Sequence, residues 1–542
     1  MKASDLFLKC LEKEGVTAIY GVPGEENADI MISLLNSPIE FITCRHEQTA
    51  SFMADMHGRL TGRPGVCLAT LGPGATNLIT GVANADMDHA PLIAIIGQAE
   101  TNRLHKESHQ NMDSVAMYEP TTKWATTVRE ADVIPEVISK AVKITCRPKP
   151  GAVLIELPED IAKHDTDKKP MHAFQVATRG TGDVNPVLEA IAKAKKPILL
   201  VGDGVLHAGC AAELKTFMDK TNIYGTTTFM GKGAIDDRHA HSLHTVGMGM
   251  KDIAVEAYDA ADLVICVGYS LYEWAPAKWR HSKQTVVHMD YIPAETDSEY
   301  EPDVELIGDI KQQFIAINEK LDKKHVKAEG YFAKIRERLE TDLHRYDNDM
   351  ETPVKPQVAI HQLREAMGDD DILISDVGAH KMWVARQYMT YQPKTCFIHN
   401  GFCSMGGSMP GAVEAKRLFP KKNVVALCGD GGFMMSIQAL STAVTYKIPI
   451  VVMLWEDDKY GLIKWKQDME FGKESHIDLD NPDLCKLAES FGANSIRIDN
   501  TEQLQPALKT AFAEKTVPTV IVVPIDYSEN MKLTEHLHKI VK

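Results

Sequence analysis

The chain has no apolar run approaching the roughly 20 residues that a transmembrane helix needs. Its ten cysteines form no CxxC pair, and Cys44, Cys67, Cys266 and Cys428 lie in or beside apolar runs. That pattern excludes a disulfide scaffold or zinc ribbon and predicts buried thiols in a reducing cytoplasm. Positive charge is scarce: 59 Lys and Arg against 75 Asp and Glu leave a net charge of −16. Such a balance argues against a nucleic-acid-binding surface and leaves small-molecule chemistry as the expectation. There is no short-period repeat and no low-complexity tract. The segment Met1–Gly21 reads as an amphipathic helix entering a strand, not as a secretory signal. A dinucleotide fingerprint is incomplete as well, since Val201-Gly202-Asp203-Gly204-Val205 lacks its third glycine.

What the chain does have is apolar material, 44% of 542 residues, enough for more than one core. It is cut into short runs that alternate with helix-length segments: Val66–Leu71, Leu92–Gly97, Ala152–Leu157, Pro197–Val201, Leu263–Val267, Thr285–Met289, Ile372–Ser375 and Thr519–Val523. Runs of this length flanked by Gly or Pro predict strands buried on both faces of parallel sheets. Two polar stretches, Lys163–Lys169 and Asp347–Lys355, interrupt the rhythm and read as linkers. The fold class expected is α/β, with three doubly wound parallel-sheet domains at residues 1–165, 185–345 and 356–530.

The segment Asn423–Gly461 is the most informative. The run Val424–Leu427 ends in Gly429-Asp430-Gly431-Gly432; apolar residues at helical spacing follow (Phe433, Ile437, Leu440, Val444), then the run Ile450–Leu454, which ends in Glu456-Asp457-Asp458. This is a βαβ unit with carboxylates at the carboxyl ends of both strands, where open α/β sheets bind ligands. Glycines let the backbone approach a phosphate, and Asp430 with Asp457 can hold a hard cation against it. Taken alone, three consecutive acids suggest a solvated surface turn.

These residues resemble the thiamine diphosphate enzymes, in which the Gly-Asp-Gly turn binds the cofactor's diphosphate through Mg²⁺. The resemblance assigns the metal to Asp430, Asp457 and the carbonyl of Lys459, with Gly429, Gly431, Gly432 and Tyr460 at the cofactor. Most members carry Asn where Asp457 stands, and the catabolic acetolactate synthases share the departure. Cys44-Arg45-His46-Glu47-Gln48, directly after the run Ile39–Ile42, resembles the family's RHEQ-like context, which implies that Glu47 binds N1′ of the aminopyrimidine. The bland reading of Glu47 is a first-turn acid facing a helix dipole. The turn at Gly72, with Asn77, matches the loop that closes over the cofactor, and Gln110 stands where the family has an active-site Gln. Val377 and His380 fall in the loop that closes on the diphosphate. Met405 corresponds to the apolar wedge between the cofactor's rings, and Cys403 to the carbonyl partner of the aminopyrimidine.

The likeness to acetolactate synthases covers nearly the whole chain, including Lys123 and the carboxyl-terminal VPIDYSENMKL. It implies pyrimidine-binding, central and diphosphate-binding domains, and condensation of two pyruvates to 2-acetolactate with loss of CO₂. The alternative is a 2-oxo acid decarboxylase that releases an aldehyde. The expected cofactors are thiamine diphosphate and Mg²⁺. FAD is possible but not favoured: Gly268–Trp274 resembles the flavin-free branch, whereas Gly247–Met250 leans toward the flavin branch. No nucleic acid or membrane is expected as partner, only a 2-oxo acid and further copies of the chain as a homodimer or homotetramer in the cytoplasm. Lys466 matches neither branch, and is either an exposed helix lysine or a partner for the acceptor's carboxylate.

Overall fold

The apolar runs become strands because each is covered on both faces by the helices that connect it to the next. The computed structural model describes residues 1–175, 180–247, 253–327, 330–530 and 533. The motif residues Met248, Gly249 and Met250, and Met531 and Lys532 of the carboxyl-terminal run, lie outside these.

The first sheet comprises β1 (Ala18–Gly21), β2 (Glu40–Thr43), β3 (Gly65–Ala69), β4 (Leu92–Gln98), β5 (Trp124–Thr127) and β6 (Ala152–Pro158), in the order β2-β1-β3-β4-β6-β5. The second is β7 (Pro197–Val201), β8 (Tyr224–Thr227), β9 (Ser242–Thr245), β10 (Leu263–Val267), β11 (Thr285–Asp290) and β12 (Val304–Ile307), ordered β12-β11-β10-β7-β8-β9. The third is β13 (Ile372–Ser375), β14 (Cys396–Ile398), β15 (Val424–Gly429), β16 (Val451–Glu456), β17 (Asn494–Arg497) and β18 (Thr519–Pro524), ordered β14-β13-β15-β16-β18-β17. Every pair is parallel, so the fold is α/β with three parallel six-stranded sheets. The first and third sheets repeat one strand order, whereas the central sheet has its switch point between β7 and β10.

The two like domains meet helix to helix. Glu47–Thr61 packs on Ser408–Leu418, with Phe52 edge-on to His399 and His57 Nδ1 2.9 Å from Glu414 Oε1. The central domain docks on the third through Asp237, whose Oδ2 accepts from Thr390 N at 2.7 Å and Oγ1 at 2.9 Å. Both expected linkers are pinned down: Thr166 exchanges backbone hydrogen bonds with Met1, and Val354 pairs with Ile525 beside the third sheet. All ten cysteines are free thiols; Cys44, Cys67, Cys266 and Cys428 are buried, and burial pushes Cys44 up to about 12.

One element differs from expectation. The helix after the glycine turn is two short ones, Asp430–Ser436 and Ala439–Thr445. Tight three-residue turns join them (Leu440 N to Ile437 O, 2.9 Å; Ser441 N to Gln438 O, 3.1 Å), which redirects Leu440 and Ala443 into the same core as Phe433.

Candidate active site

The site begins at the carboxyl ends of β2 and β3. Glu47 opens its helix behind the cap residue His46, whose Nδ1 accepts from Gln48 N. The next helix, Pro73–Met87, opens at Gly72 and brings Asn77 Nδ2 within 3.0 Å of Glu47 Oε2. Gly72 sits at φ +54°, and a Cβ there would fall 2.8 Å from the Gln110 carbonyl oxygen, so only glycine lets the two loops close. Glu47, Gly72, Asn77 and Gln110 therefore form one cluster. In the single chain Glu47 is only half-buried and Gln110 is exposed.

A second cluster lies at the carboxyl ends of β13, β15 and β16. Asp430 is buried; its Oδ1 accepts from Gly431 N, and its Oδ2 from Asp458 N and Asn481 Nδ2, both at 2.8 Å. Burial and then the charge of Asp430 push Asp457 up to about 7, well above the usual carboxylate range. Of the three consecutive acids, Glu456 is neutralised by Arg497 of β17 and Asp458 is held by Asn481. Asp457 is instead half-buried, near enough to Asp430 for the two charges to oppose each other, with its Oδ2 beside Gly461. Bonds from Tyr460 N to Ile477 O and from Leu479 N to Asp458 O leave the Lys459 carbonyl on the other edge of that ladder. Among the described residues no three His, Cys, Asp or Glu side chains converge on one point. A cation here would rest on two carboxylates, a backbone carbonyl and the ligand's own oxygens, a donor set that suits Mg²⁺.

The predicted cofactor residues surround this turn. A Cβ on Gly431 would lie 2.9 Å from the Tyr460 ring and 3.3 Å from Met405 Cε, so Gly431, Tyr460 and Met405 are neighbours. His380 is buried beside Gly378 and Gly429, and burial lowers it to about 3, leaving a neutral ring whose Nε2 has no partner among the described residues. Val377 N donates to Asp376 Oδ1, and Cys403 adopts a left-handed φ of +58°.

Sequence reasoning missed Asp376. Its carboxylate accepts from Val377 N and Gly406 N and lies against Gly432, tying three loops together. It directly precedes Val377 in the loop after β13, but nothing local shows that Gly406 and Gly432 meet it. Two predicted residues do not join either cluster. Lys123 precedes β5 at the opposite end of the sheet from Glu47, where it donates to the Lys149 carbonyl beside Asp86. Lys466 is exposed on Gly461–Phe471, one residue past the buried Trp465.

At the central switch point, a Cβ on Gly202 would fall 2.2 Å from the Gly268 carbonyl oxygen. Its glycines serve close packing of two turns, and Asp203 is paired with His89 and His207. A cavity of about 440 Å³ opens beside it, lined among others by Arg147, Lys149, Asp203 and Asp290.

Duplicated α/β domains, one presenting a carboxylate at a helix start and the other a glycine turn with two facing acids, define a class of cofactor-dependent enzymes. Comparison with known proteins agrees. Family models described as the N-terminal TPP binding, central and C-terminal TPP binding domains of thiamine pyrophosphate enzymes match residues 1–117, 184–317 and 376–523. The chain is 33% identical to an acetolactate synthase of Bacillus subtilis, over 98% of this chain and 94% of that one. It is 34% identical to a catabolic acetolactate synthase of Raoultella terrigena, over 99% and 97%. With an acetolactate synthase isozyme 2 large subunit of Escherichia coli it shares 31% identity, over 98% and 97%. The chain belongs to the thiamine pyrophosphate enzymes, in the acetolactate synthase family.

Proposed function

We propose that this protein condenses two molecules of pyruvate to 2-acetolactate with loss of CO₂, using thiamine diphosphate held through Mg²⁺. The observation that carries this reading is the full-length likeness to acetolactate synthases, joined to an intact pair of clusters. When bound, thiamine diphosphate supplies a carbon nucleophile for the 2-oxo acid carbonyl and accepts the electrons released with CO₂. The protein's part is to bind, bend and shield it. Asp430, Asp457 and the Lys459 carbonyl would hold the metal; Gly429, Gly431, Gly432, Val377 and His380 would receive the diphosphate. Met405, beside Gly431, would support the cofactor's ring system, and the Cys403 carbonyl would be an acceptor for its aminopyrimidine. Glu47 holds and returns a proton at N1′, oriented by Asn77. Gln110, at the mouth, faces the substrate.

The half-burial of Glu47 and Met405 supports an assembly in which a second copy completes the site, as a homodimer or homotetramer. The flavin is the poorer fit at the Gly202–Gly204 turn, whose glycines are packed against Gly268 and leave no room there for a phosphate. Buried free thiols support a cytoplasmic location. Among the described residues no helix is long and apolar enough to cross a membrane.

Incubating the purified protein with thiamine diphosphate, Mg²⁺ and pyruvate tests the reading. Acetolactate as the main product is expected; acetaldehyde alone would make it a decarboxylase, and no pyruvate consumption would reject both.

A further inference from the structure

The loop Gly401–Met405 carries two of the cofactor contacts just proposed, yet it has no regular structure and holds Cys403 in the left-handed region that non-glycine residues avoid. Something outside the loop must hold it. On its amide side stands Asp88, wholly buried, just past the end of the helix Pro73–Met87 in the first domain. Its Oδ1 accepts from Gly401 N at 2.5 Å and from Phe402 N at 3.3 Å. Its Oδ2 accepts from Arg59 Nη2 at 2.6 Å, and Arg59 is anchored in turn by Nε on Asp55 Oδ1 at 3.0 Å. On the other side stands Lys381, almost fully buried, whose Nζ donates to Asn400 Oδ1 at 2.9 Å, Cys403 Sγ at 3.3 Å and the His399 carbonyl at 3.4 Å.

We propose that Asp88 and Lys381 are positioning residues that clamp the loop Gly401–Met405 from its two sides, so that the Cys403 carbonyl and the Met405 side chain are presented at the height the cofactor requires. Asp88 does this from another domain. The helix that ends at Asp88 begins beside Glu47, with Asn77 on the Glu47 carboxylate, so one rigid element of the first domain touches both functional clusters of the chain. A buried carboxylate that takes two backbone amides and an arginine has no freedom to yield, and neither does an ammonium with three neutral acceptors. The inference rests on the reading of Cys403 and Met405 as cofactor contacts.

The test measures thiamine diphosphate affinity in the presence of Mg²⁺, by quenching of intrinsic tryptophan fluorescence, in D88N, K381M and M405A, together with kcat and the melting temperature of the cofactor-free proteins. Where the melting temperature shows the cofactor-free variant fully folded, the competent fraction is close to one and the dissociation constant reports the site itself, not a loss of folded protein. The clamp predicts that D88N and K381M weaken cofactor binding and lower kcat, each roughly tenfold or more, with melting close to the parent's. Wild-type affinity and kcat in both folded variants would overturn it. Should a variant fail to fold, hydrogen exchange in the unmodified protein decides: slow exchange at Gly401 and Phe402 supports the Asp88 clamp, and exchange at free-loop rates overturns it. If M405A itself binds and turns over normally, the cofactor reading of the loop fails, and the clamp then stands or falls on the exchange rates alone.

Discussion

Asn77 Nδ2 donates to Glu47 Oε2 at 3.0 Å, linking the N-terminal ends of the two helices that follow β2 and β3, the strands on either side of β1. The bond fixes which way the carboxylate faces and leaves its other oxygen beside Gly74.

Replacing Glu47 with Gln keeps the shape and the contact to Asn77 but removes proton exchange. Cofactor binding should survive, while pyruvate turnover falls roughly a hundredfold or more. Asn77→Ala, which frees the carboxylate without removing it, should lower turnover about tenfold, in line with a hydrogen bond to a charged group. Steady-state assays with saturating cofactor check both; near-normal turnover in Glu47→Gln rejects the assignment.

The facing acids Asp430 and Asp457 should make diphosphate binding depend on a divalent ion. Chelator-treated protein is expected to bind thiamine diphosphate at least tenfold more weakly than the Mg²⁺ form, and Asp430→Ala should behave likewise even with Mg²⁺ present. Equal affinity with and without the metal, in a calorimetric titration, contradicts the site.

A second copy should be needed for activity. Light scattering and activity followed together on dilution should show both lost in step; an active monomer would place the whole site within one chain.

Lys466 is exposed and free to meet the carboxylate of an acceptor 2-oxo acid. Such a contact contributes roughly 1.5–3 kcal/mol. Lys466→Ala should therefore weaken acceptor binding about tenfold and raise the ratio of acetaldehyde to acetolactate, with CO₂ release nearly intact. An unchanged ratio returns Lys466 to the surface.

His244 joins the central domain's Asp237 (3.2 Å) to Glu340 (3.2 Å) in a fully buried position. Burial opposes its charged form, but the hydrogen bonds to Asp237 and Glu340 outweigh that and raise its pKa above the ordinary value. A raised folded-state pKa contributes stability that is complete below the unfolded value of ~6.5 and fades as pH climbs through the folded one. The gap in melting temperature between the parent and His244→Gln should be widest below the ordinary histidine value of ~6.5 and narrow as pH rises above it. A gap that widens with pH has the wrong sign.

The sequence by itself determined the architecture's interior. Strands buried on both faces, such as β4, β10 and β15, must be apolar throughout, so they stand out as uninterrupted runs with the glycine turns marking their carboxyl ends. It also determined the chemistry on offer, since Glu47 and the Gly429–Gly432 turn carry their signals in a few consecutive residues. Six strands have no run among those singled out in the sequence: β5, β8, β9, β12, β14 and β17. Most lie at sheet edges, where only one neighbour demands pairing, while β8 and β9 bury threonines that hydrogen-bond each other, as Thr227 does with Thr245. Only the tertiary structure decided how distant segments meet. It gave Glu456 to Arg497 and Asp458 to Asn481 while half-burying Asp457, made Asp376 a hub for three loops, and placed Lys123 at the far end of its sheet. Those outcomes depend on which side chain reaches a charge first across scores of intervening residues, and a local pattern carries no record of that competition.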